Sequence, residues 1–541
     1  MSQPDAPSPS TKPSWTFRRL LVRLALLGSI VALLTVTCWM GINWAGKRQL
    51  RNTIAEIAAS GEVLDINQIA LPAVSDADNF FGCEPLKDLA EAEDGDVDKG
   101  KPAERRARLI SVLASLREVH DGRPDSSNGA AYGIPWDAVA WARYFREAQL
   151  LQMPSTENPG MDILAGMNEV EPLLAELGAA LSRRASQFTP AWADRYKPTP
   201  ITDVAHPATD ALILFVKTLN LHALAASAGG APSIACRDVQ MMLRIAEGSL
   251  NEPLVIDSLV GFTLLKIALD ATWEVLRRGE ASEQGLLAID QSLARFDFDK
   301  MVHRALRGEL AFMCVTDVSP QTKAAMKAAF DPFERFPPWE WTWKSIRDHL
   351  YGSLLQFGPE GLSDYSDART VRMFRDSLVV PSQSGLRPLM ASLMDLSSHL
   401  NRSRDNHVLL DGGAIRTLPT HTAVMGSRHL ILRALVAQAR TAIALARYKN
   451  AHSEYPKAIS ALVPDFMEAV PDDAIDGKPL RYSIAPEGHF KLWSIGLDGQ
   501  DDGGVVLPPG VAFETAPSLT AQDFQGDWVW SYQRLVPEKH D

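Results

Sequence analysis

An uncharged run of 21 residues near the N-terminus, at positions 24–44, limits the folds and locations open to this chain. As a helix it spans about 30 Å, the thickness of the hydrocarbon core of a bilayer. Trp15, Trp39 and Trp44 lie near its two ends, and indole rings favour the membrane interface. The run is too long for a cleaved signal peptide, and no small-residue cleavage site follows it. We therefore predict an uncleaved transmembrane anchor over residues 16–46.

Basic residues flank this run on both sides and bear on its orientation. Before it stand Lys12, Arg18, Arg19 and Arg23, and after it stand Lys47, Arg48 and Arg51. The slight excess before the run favours a cytoplasmic N-terminus. We predict a single-pass protein of the inner (cytoplasmic) membrane with the bulk of the chain in the periplasm. Residues 1–15 are rich in proline and serine, which predicts a disordered tail.

Composition and cysteine usage exclude some classes of protein. The chain has 46% hydrophobic residues, enough for a sizeable core. Its net charge of -12 and the lack of clustered Lys and Arg of the kind that binds nucleic acid argue against a nucleic-acid partner. The four cysteines, Cys38, Cys83, Cys236 and Cys314, form no CxxC motif and no zinc-type cluster. The last three predict at most one disulfide or, alternatively, three small buried apolar side chains.

Beyond the anchor the pattern is mostly helical. We predict a continuing helix and an extended strap over residues 47–102, followed by an irregular helical domain over 103–424. Apolar residues recur at steps of three and four between positions 163 and 181, and a long apolar stretch covers 254–276. Charged residues interrupt the second stretch, so it predicts a core helix and not a second membrane span.

Little in this helical region points to catalysis. The sequence contains no GxSxG, HExxH, Walker lysine loop or dinucleotide glycine fingerprint. His421 and His429 lack a third metal ligand at suitable spacing. Glu309 sits in an apolar helix, where pairing with Arg307 or with another helix is commoner than acid–base chemistry. The aromatic run FERFPPWEWTW at 333–343 predicts packing against helices, with a ligand groove or a membrane-resting surface as alternatives.

The character of the sequence changes near Ser427. An amphipathic helix is predicted over 427–450, and a second short helix from Lys457 to Leu462. Alternating segments then predict strands at 478–484, 489–495 and 526–533. The turn sequence APEG separates the first two strands, which predicts an antiparallel hairpin. One helix packed on a small antiparallel sheet makes an α+β domain over residues 425–535.

This C-terminal domain resembles the globular domain of type II secretion major pseudopilins. The resemblance rests on Tyr455-Pro456, Asp476-Gly477-Lys478-Pro479-Leu480-Arg481-Tyr482, Ser494, Gly496, Asp498-Gly499 and Asp527-Trp528, in that order. It covers about a fifth of the chain. The whole chain also resembles large membrane-anchored proteins of Verrucomicrobia-like bacteria, through ADNFFGCEPL, EPLVIDSLV and GDWVW. The predicted fold class is mainly α, with an N-terminal transmembrane helix, an irregular helical domain and a small C-terminal α+β, pseudopilin-like domain.

The pseudopilin resemblance implies a calcium ion in the loop after the second strand. Carried over residue by residue, Asp498, Asp501 or Asp502, and Asp527 become the ligand candidates. Calcium takes about six to eight oxygens, and glycines in the loop WSIGLDGQDDGG allow carbonyl oxygens to converge with the carboxylates. The alternative is a glycine-rich turn in which solvated aspartates cap backbone N–H groups.

The resemblance to pseudopilins stops at the C-terminal domain. True pseudopilins carry a short processed leader and a glutamate early in the apolar helix, and this chain has neither. The secretion function therefore does not transfer with the domain. We predict a non-enzymatic single-pass envelope protein with a helical domain that binds an unknown protein partner and a calcium-stabilised C-terminal domain. Two alternatives stay open: an envelope hydrolase with its site in the helical domain, and a type II secretion-associated component.

Overall fold

The chain is mainly helical and carries one small antiparallel sheet, as predicted. The computed structural model describes residues 15–91, 135–188, 207–314, 358–378, 386–405, 418–485, 488–505 and 526–532. The predicted disordered tail up to residue 14 and the aromatic run at 333–343 lie outside these residues. The chain divides into two compact units. The smaller unit comprises Met1–Ser60, Phe330–Arg372 and Leu400–Arg416, and the larger comprises Gly61–Ala329, Met373–His399 and Thr417–Asp541.

Helices account for most of the described chain. They are α1 (Trp15–Ala59), α2 (Ile66–Ile69), α3 (Glu84–Glu91), α4 (Ala138–Glu147), α5 (Pro159–Gly166), α6 (Glu171–Ala179), α7 (Pro207–Ala228), α8 (Pro232–Leu250), α9 (Val255–Arg278), α10 (Glu283–Leu293), α11 (Phe298–Met313), α12 (Glu360–Leu378), α13 (Leu386–Asp405) and α14 (Leu418–His452). The strands are β1 (Arg481–Ile484), β2 (Phe490–Ser494) and β3 (Trp528–Ser531), in the order β1-β2-β3.

Helix α1 is continuous over 45 residues, so the apolar run and the helix predicted to follow it form a single helix. Three helical stretches of the described chain are long and apolar enough to cross a membrane: Arg19–Ala59, Ala211–Ala228 and Arg428–His452. In the first, none of the most apolar window is buried, whereas 72% of that window is buried in each of the other two. The apolar surface of α1 is therefore the one that is left uncovered.

Beyond its apolar run, one face of α1 packs on helix α12 within the smaller unit. Gly46, Thr53 and Ile57 are buried on this face, at steps close to the helical repeat. Arg372 of α12 donates hydrogen bonds to Thr53 Oγ1 at 3.1 Å and to the Glu56 carboxylate at 2.6 Å. The second half of α1 is thus a packed helix, in contrast to the exposed first half.

Two glycines set the distance between α1 and α12. A Cβ on Gly46 would overlap the backbone of Gly361, and a Cβ on Gly361 would overlap the backbone of Ile42 and Asn43. The Asn43 side chain accepts a hydrogen bond of 2.9 Å from the Gly361 N–H. The two backbones can approach this closely because neither glycine carries a side chain.

Helices α7, α8 and α9 pack against one another and form the core of the larger unit. Helix α8 is buried along most of its length, with Val239, Met242 and Ile245 fully inaccessible to solvent. Helix α9, predicted as a core helix, ends at Gly279, where a φ of 70° places the chain in the left-handed region that favours glycine. The long apolar stretch is thus a buried helix of a globular unit.

Helix α14 joins the sheet to the helices of the same unit. It packs on α9, α10 and α11 and also contacts β2 and β3. Three of its arginines, spaced by seven residues, form ion pairs with α10 and α11. The pairs are Arg433–Asp299 at 2.9 Å, Arg440–Asp290 at 2.8 Å and Arg447–Glu283 at 2.6 Å. An apolar face and a charged edge of one helix therefore both contact the helical core.

The predicted hairpin and third strand are confirmed, with slightly shorter bounds. β2 pairs antiparallel with both β1 and β3. Ser494 lies opposite Trp528, and Leu492 lies opposite Trp530. Leu492 and Trp530 are fully buried, so this face of the sheet belongs to the core of the larger unit.

The structure gives the bounds of two segments that the sequence left open or misjudged. The apolar pattern from 163 to 181 is divided among α5, α6 and a 3-10 turn at Ala180–Ser182. Pro172 stands in the first turn of α6, and it lacks the N–H that a continuous helix would use at this position. The helix predicted from Lys457 to Leu462 is a 3-10 turn over Ile459–Leu462 only. Pro456 and Pro464 leave too short a segment for a stable α-helix.

All four cysteines lie within the described chain and all are free thiols. Cys83, Cys236 and Cys314 are buried, and burial raises the pKa of each thiol to about 11. Of the two predicted alternatives, the structure shows small buried side chains and no disulfide.

Candidate functional site

The four predicted calcium ligands lie in the loop after β2 and at the entry to β3. Because Ser494 pairs with Trp528, the chain leaving β2 runs past the chain entering β3. Gly496 has a φ of 67°, and a Cβ there would overlap the carbonyl oxygen of Gly526. Only glycine satisfies both conditions. The sheet register and this close approach bring the aspartates of the loop next to Asp527.

Asp498 holds the loop to the entry of β3. Its Oδ1 accepts a hydrogen bond from the Gln500 N–H at 3.1 Å, and its Oδ2 accepts one from the Gly526 N–H at 2.9 Å. The first bond forms an Asx turn, and the second links two segments of the chain. Both oxygens of Asp498 therefore bind backbone N–H groups.

Asp501 is engaged by side chains of the sheet. Its Oδ1 accepts hydrogen bonds from Trp493 Nε1 at 3.0 Å and from the Gly503 N–H at 3.1 Å. Its Oδ2 lies 3.5 Å from Arg481 Nε. The pKa of the Asp501 carboxyl is lowered by the hydrogen bond from Trp493, by the hydrogen bond from the Gly503 N–H and by the charge of Arg481.

Asp527 is the candidate ligand whose bonding is incomplete. Its carboxyl is buried, at 5% exposure, and Oδ2 accepts a hydrogen bond of 2.7 Å from the Gly504 N–H. Oδ1 is also buried and has no hydrogen-bond partner among the described residues. Burial raises the pKa of the Asp527 carboxyl, the backbone N–H groups of Gly504 and Asp502 act to lower it, and the charges of Asp501 and Asp502 raise it further. A buried carboxylate beside two others is held in place here without a counter-charge of its own.

The chemistry of these groups fits a hard cation in part. Carboxylate and carbonyl oxygens are the ligands that calcium prefers, and Asp527 Oδ1 is a buried acceptor without a donor. Asp502 is exposed, and its charge lies close enough to act on the Asp527 carboxyl. Against a cation at this position, the positively charged Arg481 already lies beside Asp501. Within the described residues, no three His, Cys, Asp or Glu side chains form a group that could hold a metal ion. Backbone carbonyls would have to complete the coordination.

A neighbouring network, missed by sequence reasoning, fixes the base of this loop. The buried Asp473 carboxylate accepts hydrogen bonds from Ser494 Oγ at 2.7 Å and from the Ile495 N–H at 3.0 Å. It also pairs with Arg481 at 2.7 Å, and Arg481 pairs in turn with Asp476. The end of β2 is therefore held by a carboxylate that lies outside the predicted ligand set. The only signal was the acidic run VPDDAIDG before β1.

A second cluster, also missed, joins α6, α7 and α8. His222 Nδ1 lies 2.6 Å from Asp238 Oδ2, and its Nε2 lies 3.3 Å from Glu171 Oε2. Arg237 pairs with both carboxylates. The four side chains form a closed ring of contacts. Because carboxylates occupy both ring nitrogens, His222 has no nitrogen left to activate a nucleophile.

Glu309 and His429 were the other titratable groups noted in the sequence. Glu309 Oε2 accepts a hydrogen bond of 3.1 Å from the Val255 N–H at the start of α9, so its partner is a helix end and not Arg307. His429 is completely buried, and neither of its ring nitrogens has a hydrogen-bond partner. Phe298 meets the imidazole edge-on at 5.1 Å between ring centroids. Both groups are packed among helices rather than gathered at one site.

Comparison with known proteins adds no assignment. No protein-family model matches the chain, and no curated protein or solved structure is significantly similar to it. The likeness to pseudopilins therefore rests on the motif positions and on the helix-and-sheet arrangement alone.

Proposed function

We propose that the protein is a non-enzymatic, single-pass envelope protein that α1 anchors in the inner membrane. Its helical body would bind a protein partner, and its C-terminal, pseudopilin-like domain would be stabilised by calcium. The observation that carries the proposal is the exposure of α1. None of its most apolar window is buried by the described residues, whereas 72% of that window is buried in each of the other two apolar helices. An uncovered apolar helix of this length is stable in a bilayer and unfavourable in water.

The order of elements in the last fifth of the chain supports the pseudopilin-like part of the proposal. Helix α14 precedes a three-stranded antiparallel sheet, and the strands lie where the motif places them. The Tyr482 hydroxyl donates a hydrogen bond of 2.8 Å to the carbonyl oxygen of Pro456. Two motif residues, the tyrosine of β1 and the proline after the helix, are thus in direct contact.

The bonding of Asp527 supports the calcium part. A buried carboxylate oxygen without a donor, next to Asp501 and Asp502, is stabilised if a cation binds to it. The ring of His222, Asp238, Arg237 and Glu171 supports a binding body over a hydrolase, because its charged groups bind one another and leave none directed at a substrate.

Membrane extraction and reporter fusions test the anchor and its orientation. We expect the full-length protein to stay in the membrane pellet at alkaline carbonate pH and to be released only by detergent. Alkaline phosphatase, which is active only in the periplasm, should be active when fused after residue 541 and inactive when fused at the N-terminus. Release by carbonate would refute the anchor. The opposite fusion pattern would keep the anchor and reverse the proposed orientation.

A further inference from the structure

One exposed face of α1 carries a tryptophan and three cations just beyond the apolar run. Trp44, Lys47, Arg48 and Arg51 are all exposed, and we refer to them as the basic stripe. At about 100° per residue, the four positions fall within an arc of about 100° on the helix. The buried positions Gly46, Thr53 and Ile57 are centred about 150° away. Helix α12 therefore covers one side of α1 and leaves the basic stripe open on the other.

The cations of the stripe have few partners within the protein. The Arg48 guanidinium lies 5.1 Å from the centre of the Trp44 ring. Lys47 lies 3.8 Å from Glu360, but both side chains are about half exposed, and such a pair contributes little. Trp44 itself is 61% exposed. The surface combines an aromatic ring that prefers the membrane interface with a concentrated positive charge.

The position along the helix identifies what this surface meets. With a rise of about 1.5 Å per residue, Lys47 and Arg48 lie about 4.5–6 Å past Trp44, and Arg51 about 10 Å past it. The headgroup layer extends about 5–8 Å beyond the hydrocarbon core on each side. Arginine can extend its long side chain back towards that layer. All three cations can therefore reach lipid phosphates when the apolar run spans the core.

We propose that the basic stripe binds the headgroups of anionic phospholipids and so fixes the depth and rotation of α1 in the membrane. The inference rests on the proposed anchor, since the stripe meets headgroups only if the apolar run spans the bilayer. Lipids hold the open side of α1, and α12 holds the opposite side. An anionic lipid is favoured over a neutral one because each basic residue near the surface adds to the attraction.

The test uses the full chain in detergent, titrated with phosphatidylglycerol or phosphatidylcholine and followed by native mass spectrometry. We expect the wild type to bind phosphatidylglycerol more tightly. The triple variant Lys47→Gln, Arg48→Gln, Arg51→Gln should lose about fivefold in affinity for each cation removed. The charge-retaining variant Lys47→Arg, Arg48→Lys, Arg51→Lys should keep the preference. Removal of two exposed cations outside α1, by Arg143→Gln with Lys457→Gln, should leave the preference unchanged.

Equal affinity of the wild type and the neutral triple variant for phosphatidylglycerol would overturn the inference. Displacement of the lipid by millimolar inorganic phosphate would also overturn it, because the stripe would then be a general anion site. Carbonate extraction of the same proteins separates the two proposals. If the wild type is extracted, the anchor fails. If it stays in the membrane but shows no lipid preference, only the role of the basic stripe fails.

Discussion

Trp273 of α9 donates a hydrogen bond of 3.0 Å from its indole Nε1 to the carbonyl oxygen of Ser531 in β3, across 258 residues of sequence. Gln438 of α14 donates a second hydrogen bond to the same strand, at the carbonyl oxygen of Trp528. β3 is only four residues long, so these two side chains hold a large part of its backbone. The strand that follows Asp527 is thereby fixed to two helices of the core.

Replacing Trp273 with phenylalanine should destabilise the larger unit. The change keeps an aromatic ring but removes the indole hydrogen bond to the Ser531 carbonyl, which costs about 0.5–1.5 kcal/mol in addition to the lost ring volume. Trp141 provides a matched control, because it is also buried but its Nε1 has no hydrogen-bond partner. Trp141→Phe should lose ring volume only. Urea unfolding of both variants would measure the difference, and equal losses would show that the hydrogen bond contributes nothing.

Calcium should stabilise the full-length protein against heat through Asp527. At a hundredfold excess over the dissociation constant, a ligand stabilises the folded state by about 2.7 kcal/mol. Asp527→Asn removes a buried charge, so we expect this variant to melt above the wild type in chelator and below it in calcium. Asp465→Asn, at an exposed position, should behave like the wild type. A wild-type melt that is the same with calcium and with chelator would leave the loop a glycine-rich turn.

The stability of the protein should fall in acid because of His429. Burial, together with the charges of Arg433 on the same helix and His303 on α11, lowers the pKa of His429 to about 3. In the unfolded state His429 takes up a proton near the usual imidazole pKa of 6.5, whereas in the folded state it does not. The free energy of unfolding therefore falls by about 1.4 kcal/mol per pH unit as the pH drops from 6.5 towards 3.

His429→Phe should remove this dependence, because phenylalanine fills a similar apolar space and binds no proton. Melting temperatures of both proteins are compared at pH 7.0, 5.5 and 4.5. We expect the melting temperature of the wild type to fall relative to that of His429→Phe as the pH falls. His489→Gln is the control, since His489 is exposed. Parallel curves for the wild type and His429→Phe would contradict the prediction.

Glu309 should have the opposite effect at higher pH. Burial raises the pKa of its carboxyl to about 7, against the hydrogen bond from Val255, which lowers it. The folded state then holds a proton that the unfolded state releases above about pH 4.5, so the free energy of unfolding falls as the pH rises from 4.5 to 7. Glu309→Gln keeps an acceptor for Val255 and should be more stable than the wild type at pH 8.

Measurements at pH 5 separate two effects of Glu309: the charge of its carboxyl and its hydrogen bond to the Val255 N–H. Glu309→Gln should match the wild type there, because the wild-type side chain is then protonated in the folded state. Glu309→Ala should be less stable than both at pH 5 and at pH 8, since the Val255 N–H loses its acceptor. Chemical unfolding at the two pH values gives the result. If Glu309→Gln is no more stable relative to the wild type at pH 8 than at pH 5, then ionisation of the Glu309 carboxyl does not destabilise the folded protein.

Local patterns predicted the elements that depend on local forces. The absence of charge between residues 24 and 44 predicted the apolar part of α1, and alternation around APEG predicted the β1–β2 hairpin. Pro172 was visible in the sequence as well, and the apolar periodicity around it is divided between α5 and α6. In that segment the missing backbone N–H outweighed the side-chain pattern.

Partners distant in sequence were predicted less well. Glu309 was expected to pair with Arg307 or another helix, and the second alternative holds, but the sequence did not indicate that its partner is the first N–H of α9, 54 residues earlier. Which N–H groups are unpaired depends on where a helix begins and what packs there. The seven-residue spacing of Arg433, Arg440 and Arg447 was visible, but its match to acidic residues on α10 and α11 needed the helix packing.

The same limit applies to the candidate site. The sequence placed four aspartates near one another, and the register of β2 and β3 agrees with that arrangement. It did not indicate that Arg481 and Trp493 would bind Asp501, because that contact depends on how β1 pairs with β2. The unpartnered oxygen of Asp527 likewise follows from burial, which the loop sequence does not encode.

The glycine contact between α1 and α12 prevents the two helices from sliding along one another. A slide of α1 by one turn would bring Ile42 or Leu50 to the position of Gly46 against Gly361, and either side chain would collide with the backbone there. The two helices can therefore pack in only one axial register. An axial movement of α1 is therefore passed to α12 as a movement of the pair, since slippage between them is blocked.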